Sequence, residues 1–334
     1  MHQKEYHGLN IVELEITNAC NLNCKHCYVK KEKKSFMSYN TAKEIIKQCI
    51  EMGVYRLVFT GGEPLLHRDL ISLAKYAKNK IPSVVLFTNG LLINESNINE
   101  MLIFDHIQIS IDVPPSEKGQ FRINYSDKIE EKVKLLTSKK IVVHLHATLH
   151  RSLLPYISDL IKYANNHLGV RIGFNKLISM GNKELKKECL TPLELKSALS
   201  EVSYWMNKKG YDVGCSDPLL FLVNKKKMQY FKSIKKYGIK GGCTAGIASL
   251  YINAGGDVYP CPFIPVLVGN IKNVPLKELW YKSPIFNQLR MRRSYDGKCG
   301  KCRFVDFCGG CRAVSFYNFK SLTNSDSDCF YKGV

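Results

Sequence analysis

Ile11-Val-Glu-Leu-Glu-Ile-Thr17, followed almost at once by Cys20-Asn-Leu-Asn-Cys24-Lys-His-Cys27, decides how the chain reads. The first segment has the length and apolar content of a strand, so the three cysteines occupy the loop after it. Residues 41–52 carry Ala42, Ile45, Ile46, Cys49 and Ile50, the spacing of one helix face. Strands at 56–59, 84–88, 107–111, 141–145 and 170–174 then alternate with helices at 70–80, 95–102, 128–139 and 153–167. A long helix over 191–209 follows, with Pro192 in its first turn. Six strand–helix repeats imply parallel strands with right-handed crossovers. The reading is α/β: a partial (β/α)6 TIM-like barrel with its site at the carboxyl ends of the strands, and a small cysteine-rich unit after it. A doubly wound sheet is the alternative. The expected division is a barrel over 1–210, a basic bridging segment over 211–242 and a C-terminal unit over 243–334.

The 334 residues carry a formal charge of +20 and 45% hydrophobic content, which excludes a disordered polar chain. No apolar run approaches the roughly 20 residues of a membrane span, and residues 1–10 hold no secretory apolar core. No membrane partner is expected, and the expected compartment is the cytoplasm, where thiols stay reduced. The positive charge has two readings: compositional drift in a chain also rich in Asn and Ile, or a surface for an acidic partner. Lys225, Lys226, Lys227, Lys232, Lys235, Lys236 and Lys240 follow Asp217 with no acid between, so the same choice applies locally.

Thirteen cysteines in such a chain point to metal or cluster ligation. Three thiolates on one short loop suit three corners of a [4Fe–4S] cube and leave one iron open, as a catalytic centre requires. A zinc site using His26 is the alternative. Seven more cysteines fall from residue 243 onward: Cys243, Cys261, Cys299, Cys302, Cys308, Cys311 and Cys329. Cys49 reads as core, and Cys189 has no evident partner. His144 and His146 share one strand face, reading as a polar pair lining the substrate space, with metal ligation the alternative for them and His150.

The trio C-x3-C-x-His-C, with Thr60-Gly61-Gly62-Glu63-Pro64 one unit later, resembles the radical SAM superfamily. That resemblance implies that Cys20, Cys24 and Cys27 hold a [4Fe–4S] cluster whose open iron binds S-adenosylmethionine. It implies that Gly61, Gly62, Glu63 and Pro64 meet the cofactor's amino group; a carboxylate suits an ammonium, and glycines permit close backbone approach. Asn89 in Thr88-Asn89-Gly90, and Ser110 and Asp112 in Ser110-Ile-Asp112, match positions that relatives use for the methionyl or ribose part; an Asn-Gly turn and a helix cap are the alternatives. The chain departs from relatives by reading Ile111-Asp112-Val113 and Phe121-Arg122-Ile123 where Ile-Asp-Gly and Arg-Gly are common.

Cys243, then Gly256-x4-Cys261, then Cys299-x2-Cys302-x5-Cys308-x2-Cys311 and Cys329 resemble a SPASM domain, the auxiliary-cluster module of many radical SAM enzymes. By that resemblance Cys299, Cys302, Cys308 and Cys329 hold one auxiliary cluster. Cys243, Cys261 and Cys311 hold another, with its fourth position open or filled otherwise. Two zinc-ribbon-like sites are the alternative. Three clusters would lower the net charge to about +16. Cys215, in Gly214-Cys-Ser-Asp217, is a candidate extra ligand or hydrogen donor to a product radical, or a plain buried thiol.

The resemblance implies reductive cleavage of S-adenosylmethionine to a 5′-deoxyadenosyl radical that abstracts hydrogen from substrate. A flavodoxin- or ferredoxin-type donor would supply the electron. Relatives mature ribosomal peptides, remodel or decarboxylate tetrapyrroles, or oxidise small alcohols. A precursor peptide or other acidic substrate is expected, with a cross-link, thioether or epimerisation as product. No fused leader-binding domain is read, so a separate leader-peptide-binding protein is a possible partner. A nucleic-acid partner is not expected. A zinc nucleic-acid-binding protein and an iron–sulfur electron carrier are the non-enzyme alternatives, and neither needs Gly61–Pro64.

Overall fold

The computed structural model describes residues 8–29, 33–117, 119, 121–122, 126–234 and 241–333. Lys235, Lys236 and Lys240 of the lysine run, and Ile123, lie outside them.

Seven parallel strands run in chain order: β1 (Ile11–Thr17), β2 (Arg56–Gly61), β3 (Ser83–Thr88), β4 (His106–Ser110), β5 (Val143–Leu149), β6 (Arg171–Lys176) and β7 (Val213–Cys215). The expected barrel is present with one strand more than the six expected. β7 pairs Val213, Gly214 and Cys215 with Ile172, Gly173 and Phe174, so the sheet continues past residue 210. Val-Gly-Cys is too short to declare itself as a strand.

The alternation of β1 is decisive. Val12, Leu14 and Ile16 are fully buried against the surrounding helices, among them Tyr39–Glu51 with Ala42, Ile45, Ile46 and Cys49 inward. Glu13 and Glu15 therefore face the barrel interior. On β5, Val143, Leu145, Ala147 and Leu149 pack outward, which turns His144, His146 and Thr148 inward.

Three expected elements shift for local reasons. Ile141 gives its N–H to Leu136 O, closing the preceding helix, so β5 starts at Val143. The helix expected over 95–102 is a 3-10 segment, Ile98–Ile103. Asn94 Oδ1 accepts the Ser96 N–H and Asn97 Oδ1 the Asn94 N–H, in competition with helical bonds. The helix expected over 153–167 is a 3-10 turn containing Pro155, an α segment Ile157–Lys162 and a π turn Tyr163–His167. The 191–209 helix is Pro192–Asn207, opened by a capping box between Thr191 and Glu194.

The C-terminal unit joins the same sheet. β8 (Ser249–Ile252) lies parallel to β1, pairing Ile11 with Ser249 and Leu14 with Ile252. The expected hairpin follows: β9 (Asp257–Tyr259) is antiparallel to β8, and β10 (Gly269–Asn270) antiparallel to β9. Glu15 clamps the junction from inside, accepting hydrogen bonds from the Tyr251 hydroxyl and, at 3.2 Å, from the Ala254 N–H. Among the described residues, no helix is long and apolar enough to cross a membrane.

Tyr251→Phe removes one donor from the buried Glu15 carboxylate. It should lower stability by about 1–3 kcal/mol, read as a lower urea midpoint with unchanged slope.

Candidate functional site

The first cysteine loop is welded to the end of β2. Gly62 N–H donates to Thr17 O and Glu63 N–H to Ala19 O, both at 2.7 Å. The contact needs glycine twice. A Cβ at Gly61 would sit 2.2 Å from Thr17 O, with φ at +155°, and one at Gly62 would sit 2.3 Å from Ala19 O. Asn18 closes the loop's far side: its amide donates to Lys33 O at 2.8 Å and accepts from Ser35 N–H at 2.6 Å.

Glu63 is fully buried. Its Oε1 accepts from Thr88 Oγ1 at 2.7 Å and Leu65 N–H at 3.1 Å, and its Oε2 from Asn89 N–H at 2.8 Å. Burial pushes this carboxyl up to about 7, against the pull of those donors. Both oxygens thus tie the end of β3 to the turn after β2. Glu63 braces the turn that is expected to meet the cofactor's amino group. Asn89, so held, gives Nδ2 to Asn21 Oδ1 at 2.7 Å and approaches Cys20 Sγ at 4.0 Å. Cys20 Sγ accepts the Leu22 N–H at 3.4 Å. Cys20, Cys24 and Cys27 are all partly exposed.

Phe121 and Arg122, which follow β4, lie over this site. Lys25 N–H reaches Phe121 O at 3.3 Å, and the Phe121 ring stands edge-on to His26 at 5.0 Å and to His150 at 4.5 Å. Burial lowers His26 to about 3, with Arg122 and His150 adding to it, so the ring is neutral. Arg122 pairs with the buried Asp112. The unusual Phe121-Arg122 sequence is therefore a cover locked onto Asp112. Ser110 closes β4 nearby, on the interior face with Gln108.

Sequence reasoning missed the acidic interior. Burial pushes Glu13 up to about 7 and raises Glu15. Tyr28, next to Cys27, bonds Thr60 Oγ1 at 3.4 Å, with its ring 5.4 Å from Phe263 and 6.0 Å from Tyr251. Glu13 and Glu15 at alternate positions of an apolar strand were the available signal. His144 stacks on His106 at 4.5 Å, and His146 lies beside Gly173.

In the C-terminal unit, Cys299, Cys302, Cys308 and Cys329 line one cavity with Gly309, Gly310 and Asp326. Each sulfur receives a backbone N–H. Phe304 donates to Cys302 at 3.4 Å, Gly310 to Cys308 at 3.3 Å and Asp326 to Cys299 at 3.4 Å, and Tyr331 donates to Cys329. Four thiols around a cavity, with N–H groups aimed at sulfur, fit a four-thiolate iron–sulfur cluster. Among the described residues, no three His, Cys, Asp or Glu side chains converge on a single-ion site. Burial pushes Cys261 and Cys311 up, Cys311 to about 12; Cys243 raises both, and Cys311 adds to the rise at Cys261. Cys311 N–H donates to Asp326 Oδ2 at 2.8 Å, and Cys243 N–H to Cys308 O at 3.0 Å. Such thiols ionise when a metal replaces the proton.

Cys215 shares its strand face with Val213, against Phe174 of β6, whose side chain packs outward in the core. Burial pushes its thiol up to about 12.

Residues 14–166 match the radical SAM superfamily model, and residues 243–303 match the SPASM iron–sulfur cluster-binding domain. The chain is a radical SAM enzyme with a SPASM domain. Iron–sulfur clusters and S-adenosylmethionine are its cofactors. An AdoMet-dependent heme synthase of Oleidesulfovibrio alaskensis is 28% identical, over 96% of this chain and 87% of that one. The mycofactocin maturase MftC of Mycobacterium ulcerans is 28% identical, over 97% of this chain and 89% of that one. In fold, the chain is similar to Streptococcus suis SuiB bound to S-adenosylmethionine, with a TM-score of 0.78 and 17% identity over 97% of this chain and 78% of that one. The radical SAM match includes Cys20 through Asp112. The SPASM match ends before Cys308, Cys311 and Cys329.

Gly62→Ala should cost the radical SAM enzyme its first cluster, about four irons per chain, while the C-terminal irons remain; iron and sulfide assay checks this. Glu13 generates a pH effect. Its folded pKa stands above the model-peptide value, so the folded state binds the extra proton, and stability falls as pH rises from about 4.5 to about 7. Glu13→Gln should flatten that fall by about 1–3 kcal/mol between urea midpoints at pH 5.5 and 7.5.

Proposed function

We propose that this radical SAM/SPASM enzyme modifies a ribosomally synthesised peptide, forming a cross-link, thioether or epimer. The observation that carries the reading is the pair of interior carboxylates, Glu13 and Glu15, beside Tyr28 and the first cysteine loop. Glu13, kept largely neutral by burial, and Glu15, held by Tyr251 and Ala254, suit neutral or cationic side chains and supply no cation to pair with the propionates of a tetrapyrrole. The MftC relative and the fold of SuiB, including SuiB bound to its precursor peptide SuiA, support the same choice.

Cys20, Cys24 and Cys27 would hold the first cluster, which with S-adenosylmethionine would supply the hydrogen-abstraction chemistry. The chain's residues then have these parts. Gly61, Gly62 and Pro64 present backbone to the cofactor, Glu63 holds that backbone rigid, and Asn89 and Ser110 orient the methionyl and ribose parts. Arg122, locked on Asp112, and Phe121 exclude water from the site. Cys299, Cys302, Cys308 and Cys329 hold one auxiliary cluster, and Cys243, Cys261 and Cys311 hold a second. A flavodoxin or ferredoxin supplies electrons.

A tetrapyrrole substrate is the second reading. It is favoured by the AdoMet-dependent heme synthase of Methanosarcina barkeri, which is 25% identical over 96% of both chains.

Anaerobically reconstituted enzyme should hold about twelve irons under this ligation. Given a low-potential reductant, it should release 5′-deoxyadenosine, and Cys24→Ala should abolish that release. A candidate precursor peptide should lose two hydrogens by mass spectrometry if a cross-link or thioether forms, and gain one deuterium at carbon in D2O if an epimer forms. Decarboxylation of an iron tetrapyrrole with an unchanged peptide would reverse the assignment.

A further inference from the structure

Two arginines are sealed inside the C-terminal unit. Arg312 is 1% exposed and Arg292 is 2% exposed, and neither pairs with a carboxylate among the described residues. Arg292 is held by the carbonyls of Cys243, Val305 and Asp306. Arg312 is the more pointed case. Its Nε donates to Gly310 O at 3.2 Å, and its Nη1 to Leu322 O at 3.1 Å and Asn324 O at 2.7 Å. Its Nη2 donates to Cys299 Sγ at 3.6 Å. The guanidinium lies over the Tyr295 ring at 4.7 Å.

Gly310 makes the approach possible. Its φ is +61°, and a Cβ there would lie 2.5 Å from Arg312 Nη2, 2.8 Å from Asp326 Cβ and 3.2 Å from Cys299 Sγ. Asp326 is thus close in the chain's packing and its charge acts on Arg312, but its carboxylate makes its hydrogen bond and ion pair elsewhere. It accepts the Cys311 N–H at 2.8 Å and faces Lys176 Nζ at 3.6 Å. Lys176 in turn faces Asp217 and Asp328 as well.

A guanidinium cannot shed its proton, and burying it without a countercharge is strongly unfavourable. Carbonyl oxygens satisfy its N–H groups but supply no net charge. Among the described residues, its one non-carbonyl acceptor is a cysteine sulfur of the quartet. A cube held by four thiolates carries a charge of −2 in its oxidised form.

We propose that Arg312 is the built-in countercation of the cluster held by Cys299, Cys302, Cys308 and Cys329, raising its reduction potential by charge and by the N–H···S bond to Cys299. Arg312 is a positioning residue, since it acts through the cluster and not on the substrate. Each electron the cluster accepts adds negative charge, and a fixed cation against one ligand sulfur favours the reduced form. The inference rests on the iron reading of the quartet.

The test compares full-length wild type, Arg312→Met and Arg312→Lys after anaerobic reconstitution. Iron and sulfide are counted, and the auxiliary-cluster potential is measured by reductive titration followed by electron paramagnetic resonance. Arg312→Met should move that potential to a more negative value and leave the first cluster's potential in place. Arg312→Lys should lie near wild type. Should Arg312→Met lose about four irons with its secondary structure intact, retention of iron by Arg312→Lys still supports the role of charge. Equal loss of iron in both variants, or equal potential shifts, would overturn the proposal in favour of a purely structural tie to Leu322 and Asn324. An unmoved potential in fully loaded Arg312→Met overturns it outright. A wild type without auxiliary iron overturns the cluster reading itself, and that result is separate from the variant comparison.

Discussion

The site depends on two backbone hydrogen bonds, from Gly62 to Thr17 and from Glu63 to Ala19. They fix where the first cysteine loop leaves β1. Without side chains at Gly61 and Gly62, two strand ends approach more closely than any other residue type permits. Glu63 carries the constraint one strand further, to Thr88 and Asn89, and Asn89 returns it to Asn21 beside Cys20. Three strand ends and one loop are thereby a single rigid frame. A radical enzyme needs such a frame, because hydrogen abstraction demands fixed geometry between cofactor and substrate.

The same sheet explains how the two halves of the protein work on one space. β8 adds to β1 in parallel, so the C-terminal unit is an extension of the barrel and not an appendage. Glu15 on β1 meets Tyr251 on β8 from inside, and Tyr28 beside Cys27 meets Phe263 beside Cys261. A substrate in the barrel would thus face the first cysteine loop on one side and the Cys261 region on another. On the far edge, Lys176 at the end of β6 is gripped by Asp217, Asp326 and Asp328, tying the last strands to the C-terminal cysteines.

Much of this was legible in the sequence. Strand–helix alternation declared the barrel, and cysteine spacing with Gly61–Pro64 declared the chemistry, because both are local patterns. Contacts between distant residues were not legible. Nothing near Tyr251 says that it meets Glu15. Val213–Cys215 was hidden by its brevity, and the 3-10 turn at Ile98–Ile103 by asparagines that compete for backbone. Glu63 reads as a contact for an ammonium by its charge; that it also braces the turn shows only in its depth and its three donors. Arg312 stands beside Cys311 in sequence, but its Nη2 bonds the sulfur of Cys299. A side chain that folds back past its neighbours leaves no periodic trace.

The central claim is that the first cluster keeps one iron for S-adenosylmethionine. Electron–nuclear double resonance on the reduced enzyme tests it most directly, using S-adenosylmethionine labelled with 15N at the amino group and 17O at the carboxylate. The account predicts hyperfine coupling from both labels to the cluster held by Cys20, Cys24 and Cys27. Absence of both couplings, with a spectrum unchanged by the cofactor, would contradict it.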